Sequence, residues 1–422
     1  MKKHDTKIGY ACMNMDSYPA SFQTCRIQNI TEEKLYEMIE NNILVLENMI
    51  DYNIKHNNYM YRISSSLIPF GSSPLNTLDW KHIFRDDFKR IKNKIKHGNM
   101  RVSCHPGQYT VINSPSEDVV EASIMELEYH TDLMELLSGN KNHKMILHVG
   151  GVYGDKDTSI DRFIDVYHKL SPRVKKYLVI ENDDRSYTVE DVLYISSQVS
   201  VPVIFDNLHH DINPSLQNLH MQEIITKVVK TWREEDGKVK MHYSQQDPGK
   251  RKGAHSETID LALFCEDYKN IYSLYPIDIM LEVKDKNRSF KKVDLLLNPN
   301  QRTLEVEWAS YKYLVMSKSI ASYNQLREMF KNNPKVDVLE FYSIIDATLK
   351  LDPSIGNQVN ALEHVWGYFK KIATEKEKMQ FFKKLQALKD GKIKDTHMIK
   401  FTRSLAEKYE VTYLLESYFL SI

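Results

Sequence analysis

The chain has 422 residues, carries 57 Lys and Arg against 57 Asp and Glu, and is 42% hydrophobic. This composition is typical of a globular protein with a large core, and a neutral chain does not by itself indicate a nucleic-acid-binding protein. No apolar run reaches the length of a membrane span, and the start, MKKHDTKIGY, lacks an apolar signal core. The four cysteines show no CxxC spacing and no disulfide framework. We therefore expect a cytoplasmic protein without membrane contacts.

Short β-rich segments alternate with longer amphipathic segments along the first 300 or so residues. The amphipathic segments have the period of a helix, as in EEKLYEMIENNILVLENMIDYNIKH (32–56). Eight β-then-α units predict a TIM (β/α)₈ barrel. The alternative, an open doubly wound sheet, is not favoured because no GxGxxG follows the first strand. The predicted strands are 7–14, 59–64, 101–106, 145–150, 177–182, 201–207, 238–244 and 278–284.

Beyond residue 305 the sequence has helical periods only. EVEWASYKYLVMSKSIASYNQLREMF (305–330) begins this part, and only KNNPK (331–335) and LDPSIGN (351–357) strongly interrupt it. We predict an α/β fold in which a TIM barrel, residues 1–305, is followed by a small all-helical domain, residues 306–422.

Six consecutive predicted strands each carry a histidine or a carboxylate at or near the carboxyl end. In a TIM barrel these ends form the active-site face. The six residues are His105, His148, Glu181, Asp206, His242 and Glu282. Two more histidines lie nearby, since His209 follows Asp206 by three residues and His255 lies in GKRKGAHSE after the seventh strand.

Each of these residues alone also permits a structural interpretation. A single histidine at a strand end is often hydrogen-bonded or solvated, and Glu181 and Asp206 are able to cap the helices that follow them. Together, however, converging acids and imidazoles would repel or desolvate one another without a cation between them. Divalent metals accept imidazole and carboxylate ligands, and eight candidates exceed the needs of one ion. The sequence therefore predicts a site for two or three ions.

A metal cluster of this kind suits phosphodiester hydrolysis, because one ion activates water while the others hold the phosphate and the leaving oxygen. A two-metal sugar isomerase on the same barrel is the main alternative. An amidohydrolase is disfavoured because IGYACMN in the first strand lacks an HxH pair. A metal-binding module without catalytic activity is the alternative that is not an enzyme, and the catalytic-face position of the polar residues argues against it.

A set of motifs occurs in a recognisable order. They are IGYACMN, YRISS, SCHPGQY, HVGG, ENDD, FDNLHH, KMHYSQQ, GAHSE and MLEVKDK. In this order they resemble the UV damage endonucleases (the UvdE/UvsE family), TIM barrels related to endonuclease IV, over residues 7–308. The resemblance implies a manganese-dependent DNA repair endonuclease that nicks double-stranded DNA 5′ to cyclobutane dimers, 6-4 photoproducts and some other lesions, with abasic sites as a further substrate. An endonuclease IV-like abasic-site enzyme is the nearest alternative.

The resemblance also implies roles for individual residues. It implies metal ligation by His105, His148, Glu181, Asp206, His209, His242, His255 and Glu282. It implies catalytic roles for Lys240, Glu181, Glu282 and Tyr10, and Lys240 matches a lysine that is carboxylated in a family member. Tyr10 and Asn14 match residues near the scissile phosphate. Gln108 and Tyr109 match residues that probe the damaged duplex.

One position departs from the family pattern. In SSSLIPFGSSP, Ser73 stands where the family usually has a histidine near the cleaved phosphate, which leaves the rate and the lesion range open. The C-terminal part, with NALEHVWGYF and EKEKMQFF, resembles the YbgA-like helical domain of unknown function. Residues 311–422 carry 18 Lys and Arg against 13 Asp and Glu, so this part is expected to contact DNA or another protein.

Overall fold

The computed structural model of the protein describes residues 5–16, 21–332 and 335–421. The chain divides into two compact units, Met1–Lys291 and Lys292–Ile422. All strands lie in the first unit, and the described residues of the second form helices and their connections. Among the described helices, none combines the length and the apolar character that a membrane span requires.

Eight parallel strands form the barrel, and each coincides with a predicted strand. They are β1 (Ile8–Ala11), β2 (Met60–Ile63), β3 (Arg101–Cys104), β4 (Lys144–His148), β5 (Leu178–Glu181), β6 (Val203–Ile204), β7 (Val239–Tyr243) and β8 (Ile277–Leu281). Their hydrogen-bonded order is β6–β5–β4–β3–β2–β1–β8–β7, which is chain order around a ring. The predicted TIM barrel is confirmed.

The ring closes between β6 and β7 at a single point. Asp206 and His242 form a parallel bridge, and the His242 amide donates to the Phe205 carbonyl at 3.0 Å. Strand β6 is shorter than the predicted 201–207 because Asp206 already caps a helix: its Oδ1 accepts from the His209 amide at 2.9 Å. The barrel is therefore closed through two of the residues that the sequence marks as metal ligands.

Helices follow the strands as the amphipathic pattern predicts. In the barrel unit they are α1 (Glu32–Lys55), α2 (Trp80–Ile83), α3 (Arg85–His97), α4 (Glu117–Leu137), α5 (Lys156–Lys169), α6 (Pro172–Tyr177), α7 (Val189–Val199), α8 (Asn207–Ile212), α9 (Met221–Val229) and α10 (Leu261–Asn270), with 3₁₀ turns at Ile27–Asn29, Glu234–Asp236 and Tyr272–Leu274. The helix predicted over 32–56 is α1, which begins where the Thr31 side chain accepts from the Lys34 amide.

The remaining helices run to the end of the described chain. They are α11 (Asn287–Leu297), α12 (Gln301–Lys318), α13 (Ile320–Asn332), α14 (Val338–Leu349), α15 (Ile355–Trp366), α16 (Glu375–Lys389), α17 (Asp395–Lys408) and α18 (Thr412–Leu415). The predicted all-helical C-terminal part is confirmed. The predicted domain boundary after residue 305 falls within α12, whereas the compact units divide at Lys291.

Candidate metal centre

The barrel brings the six strand-end residues to one face, as the sequence predicts. His148 and Glu181 are the last residues of β4 and β5, and His242 is the penultimate residue of β7. His105 and Glu282 directly follow β3 and β8. Because all strands are parallel, their carboxyl ends share one rim, and the side chains converge over the barrel interior.

Glu181 lies at the middle of this cluster and is almost fully buried. Its Oε1 accepts a 2.7 Å hydrogen bond from His242 Nδ1. Its Oε2 lies 3.6 Å from His105 Nε2 and 3.7 Å from His148 Nε2. The two carboxylate oxygens therefore face different partners.

Two groups of side chains have the spacing of a metal site, and both contain Glu181. One consists of His105, His148 and Glu181, the other of Glu181, Asp206 and His242, and within each group the ligand atoms lie within 4.8 Å of one another. Asp206 Oδ2 and His242 Nε2 are buried and have no hydrogen-bond partner among the described residues. A buried polar atom without a partner lowers the stability of the fold. A divalent cation bound between these carboxylates and imidazoles would provide both atoms with a partner.

Backbone carbonyl groups orient two of the histidines. His105 Nδ1 lies 2.9 Å from the Pro106 carbonyl oxygen, and His209 Nδ1 lies 2.8 Å from that of Asn182. A carbonyl partner makes Nδ1 the donor, which leaves Nε2 as the free lone pair. His209 lies in the first turn of α8, where the Asp206 cap fixes its backbone.

The cluster shifts the pKa values of its members in opposite directions. Burial lowers the pKa of His209, but the charges of Asp206 and Glu181 outweigh it and raise the value to about 9. Burial dominates for His148 and lowers its pKa to about 4. Burial, with the charges of Glu181 and Glu282, raises the pKa of Asp206. These opposed shifts are typical of functional sites.

Arg62 is a contact of the cluster that the sequence analysis missed, although it lies in the YRISS motif. Its guanidinium group is hydrogen-bonded to Oε1 of Glu282, and the side chains are only 12% and 13% exposed. The same oxygen lies 3.1 Å from His242 Nδ1. Burial would raise the pKa of Glu282, but the charges of Arg62 and His242 hold it well below its usual range. Glu282 therefore stays a carboxylate.

Two asparagine amides, also missed, fix the strand ends that carry the ligands. Asn182 Oδ1 accepts from the Asp206 amide at 2.9 Å, while its Nδ2 donates to the Asp206 carbonyl at 3.0 Å. Asn207 makes the same pair of bonds to the backbone of Ser244, at 2.8 and 2.9 Å. Each amide continues a strand pairing where the regular ladder has stopped. The sequence signal was an Asn directly after a ligand, in ENDD and FDNLHH.

Lys240 lies inside the barrel, one layer below the ligands. It precedes His242 by two residues on β7, so both side chains point to the same side of the strand. Its Nζ is buried and donates to Ser103 Oγ at 2.6 Å, two residues before His105. Burial, and then the nearby charges of Arg62 and Arg101, lower the pKa of Lys240 well below its usual value. Lys240 is therefore a buried amine beside the cluster, and its surroundings disfavour its charged form.

His255 is not brought into either group of potential ligands. It lies in the loop after β7, paired with Gln246 through an antiparallel bridge, and is partly exposed. Its charge nevertheless contributes to lowering the pKa of Glu282, so it faces the rim of the cluster. Ligation by His255 stays a prediction.

Tyr10 and Asn14 are buried apart from this cluster. The Tyr10 hydroxyl donates to Asn53 Oδ1 of α1 at 2.7 Å and accepts from Asn14 Nδ2 at 3.0 Å. Asn14 Oδ1 accepts from the Asp16 amide at 2.8 Å, and both residues are 0% exposed. Their predicted roles near the scissile phosphate stay predictions that this conformation does not favour, because neither side chain reaches the surface.

Gln108 and Tyr109, in contrast to the buried Tyr10 and Asn14, lie on the tip of the loop after β3. The Thr110 amide donates to the Gly107 carbonyl at 2.9 Å, which makes a tight turn with both residues at its corner. Tyr109 is 83% exposed. Ser73, in the loop after β2, accepts from the Leu75 amide at 3.2 Å and lies on the same side of the barrel.

The fold and the cluster together define a (β/α)₈-barrel protein whose face at the carboxyl ends of the strands carries buried histidines and carboxylates with the spacing of a metal site. A family model described as UV-endonuclease UvdE matches residues 6–305. The chain belongs to the UV-endonuclease UvdE family, which confirms the resemblance of the motifs and makes the protein an endonuclease by family. A second model, a protein of unknown function (DUF1722), matches residues 312–422.

Individual relatives agree with this family. The UV DNA damage endonuclease of Clostridium perfringens is 37% identical over 407 residues, which cover 94% of this chain and 96% of the relative. The UV-damage endonuclease of Schizosaccharomyces pombe is 32% identical over 305 residues, 67% of this chain and 49% of the relative. The crystal structure of SacUVDE is 36% identical, with a TM-score of 0.65 over 71% of this chain and 99% of that chain.

Proposed function

We propose that the protein is a DNA repair endonuclease that hydrolyses the phosphodiester bond 5′ to UV photoproducts in double-stranded DNA. Its lesions are cyclobutane dimers and 6-4 photoproducts, with abasic sites as a further substrate, and its place is the cytoplasm. One observation carries the proposal: a cluster of buried ligands with unpartnered atoms occupies the catalytic face of a barrel of the UV-endonuclease family.

The cluster holds two or three divalent ions, and we propose manganese. Carboxylate and imidazole donors suit this metal. The ligands are His105, His148, Glu181, Asp206, His209, His242, His255 and Glu282. When bound, the ions supply Lewis acidity toward the phosphate and lower the pKa of water. Glu181 would contribute to both groups of potential ligands, since its two oxygens face different histidines.

The protein's own residues hold this arrangement. Asn182 and the α8 cap fix the backbone of Asp206, and Arg62 keeps Glu282 ionised. Glu181 stays ionised as well, because the charge of His242 and hydrogen bonds from His105 and His242 outweigh the effect of burial on its pKa. The result is a rigid, negatively charged set of donors that needs little reorganisation when cations bind.

We propose that Lys240 is carboxylated. A buried neutral amine adds carbon dioxide to form a carbamate and a proton, and the carbamate would be an anion next to Arg62 and the bound cations. ¹³C-bicarbonate should then give a carbamate carbon signal in wild type that is lost in Lys240→Ala. Wild-type nicking rates in Lys240→Ala would contradict a catalytic role, and Lys240→Met serves as a control of similar volume.

Gln108 and Tyr109 are proposed to probe the duplex at the lesion. An exposed aromatic ring and an amide on a tight turn beside the site are suited to stack on bases and to fill the space that displaced bases leave. Tyr109→Ala should raise Kd for damaged duplex more than for undamaged duplex. Equal effects on both would make the residue a general DNA contact.

Residues 306–422 are proposed to act as a separate helical domain that contacts DNA outside the lesion, beside a catalytic domain of residues 1–305. The family matches support this division, since they end at 305 and begin at 312. Lys376 and Lys383 of α16 are exposed cations of this positively charged part. Lys376→Glu/Lys383→Glu should make the salt dependence of DNA binding shallower by about two units.

The control for this change lies on the barrel. Lys89 and Lys96 of α3 are also exposed, but they lie on the solvent face of a helix that buries Phe88, Ile91 and Ile95 against the barrel. Lys89→Glu/Lys96→Glu should leave the salt dependence unchanged. Equal changes in both double variants would mean that overall charge alone is responsible, and an unchanged slope in the α16 variant would point to a protein partner instead.

The central test uses an end-labelled, UV-irradiated duplex incubated with the full chain and manganese. A nick directly 5′ to the photoproduct, lost in EDTA and in Glu181→Gln, is the expected result. Nicking only at abasic sites would instead make the protein an endonuclease IV-like enzyme. An absence of nicking together with interconversion of an aldose and a ketose would make it a sugar isomerase.

A further inference from the structure

Tyr153 is an exposed aromatic residue on the loop that follows β4, five residues beyond His148. Its side chain is 47% exposed. Its backbone has a φ of +46°, in the left-handed region that residues with bulky side chains rarely adopt. Such a conformation is retained only where the surrounding structure enforces it, and it is a reason to look for a function.

The loop around Tyr153 is held firmly. The Gly151 carbonyl accepts from Asn113 Nδ2 at 2.8 Å and from the Tyr187 hydroxyl at 2.9 Å. Gly150, with a φ of +120°, packs so closely that a Cβ atom there would lie 2.2 Å from Asn113 Oδ1. The loop is therefore held in one conformation, and an aromatic side chain projects from it.

The same contacts join this loop to the one that carries Tyr109. Asn113 belongs to the loop after β3, and its carbonyl accepts from Arg162 Nε of α5 at 3.0 Å. The guanidinium carbon of Arg162 lies 5.6 Å from the centre of the Tyr153 ring, a cation–π contact. Tyr109 and Tyr153 thus project from two loops that Asn113 connects, both at the carboxyl ends of strands.

Simple packing does not account for Tyr153. Nearly half of its surface is open to solvent. An exposed ring with a cation beneath it, on the catalytic face, matches the chemistry of a nucleotide, which offers a flat base and a phosphate.

We propose that Tyr153, supported by Arg162, is a second aromatic contact to the DNA substrate and stacks on a nucleotide flanking the lesion. The inference rests on the proposed function, since it assumes a DNA substrate. Tyr153 is a binding residue in this proposal, because it lies outside the ligand cluster and acts on the position of the duplex rather than on the reacting phosphate.

The test compares variants of the full chain. Tyr153→Ala and Tyr153→Asn, the latter compatible with a positive φ, should raise KM for nicking a UV-damaged duplex, and Kd measured by fluorescence anisotropy in EDTA, by about 5- to 50-fold. The value of kcat should stay within about twofold. Tyr153→Phe keeps the ring and should restore wild-type KM.

Tyr194 provides the matched control. It is 52% exposed on α7, in the helical layer rather than on a loop at the carboxyl ends of the strands. Tyr194→Ala should leave KM and Kd unchanged. The proposal is overturned if Tyr153→Asn, with a wild-type melting temperature, binds and nicks like wild type, or if Tyr153→Phe is as impaired as Tyr153→Ala. If wild type itself neither binds nor nicks damaged DNA, the proposed function has failed instead.

Discussion

His209 should make metal binding strongly dependent on pH. Its pKa of about 9 results from the charges of Asp206 and Glu181, which outweigh the lowering effect of burial. At pH 7 the ring is therefore about 99% protonated in the metal-free protein, and a metal ion binds only the neutral ring. Removing that proton costs about 2.7 kcal/mol, two pH units at about 1.36 kcal/mol each. The proposed ligation by His209 therefore predicts that metal loading releases this proton.

Titration calorimetry with manganese, in two buffers of different ionisation enthalpy, measures the protons released. At pH 7 wild type should release about one proton more than His209→Gln, and its metal affinity should rise more steeply with pH, by about a factor of ten per unit. His148→Gln is the control, since a pKa of about 4 leaves His148 already neutral. Equal proton release by wild type and His209→Gln would refute the reasoning.

The same shift determines the stability of the metal-free protein. A pKa raised from 6.5 in the unfolded chain to about 9 stabilises the fold fully below pH 6.5, and this contribution is lost as the pH rises through 9. The free energy of unfolding in EDTA should thus fall by about 3 kcal/mol between pH 6 and 9.5. His209→Gln should show a smaller fall over this range. A stability profile of the same steepness in the variant would contradict the assignment.

Three other perturbations follow from contacts in the cluster. Arg62→Met leaves Glu282 buried without its guanidinium partner and should lower the free energy of unfolding in EDTA by about 3–5 kcal/mol. Arg85→Met, at an exposed pair, should cost about 0.5 kcal/mol or less. Equal costs would show that the buried pair is not stabilising. Asn182→Ala removes two hydrogen bonds to the backbone of Asp206, just beyond β6. The variant should bind manganese about 10- to 100-fold more weakly in calorimetry. An affinity close to that of wild type would contradict a positioning role for Asn182. Manganese at 100 times its Kd should raise the free energy of unfolding of wild type by about 2.7 kcal/mol, and a similar rise in Glu181→Gln would place the ions elsewhere.

The barrel, and the face on which its site lies, could be predicted from the residue pattern. Eight β-rich runs separated by amphipathic helices leave few alternatives to a parallel ring, and six of these runs carry a histidine or a carboxylate, such as His148 or Glu181, at or near the carboxyl end. In a parallel barrel all carboxyl ends lie on one rim, so the order of residues along the chain was enough to predict that these side chains converge. The helices of the C-terminal part were equally predictable, because the helical period of hydrophobic residues involves only residues that are close in the chain.

The contacts that those side chains make are seen only in the folded structure. Asp206 caps α8 with one oxygen and leaves the other without a hydrogen-bond partner in the cluster, so the capping role does not prevent the proposed metal ligation. Arg62 and Glu282 form an ion pair although they are 220 positions apart in the chain, and no local sequence pattern predicts such a pair. Tyr10 looked like a site residue from its motif, yet its hydroxyl bonds to Asn53 of α1.

The physical reason for this division is the range of the interactions involved. Hydrophobic periodicity and helix capping involve residues that are close in the chain, so both can be recognised in the sequence. The direction, burial and charge of a side chain depend on neighbours that only the closed barrel brings near. Tyr153 illustrates the point, because Asn113 holds its loop and Arg162 lies against its ring, and both belong to other elements. In the sequence it is one tyrosine among 25.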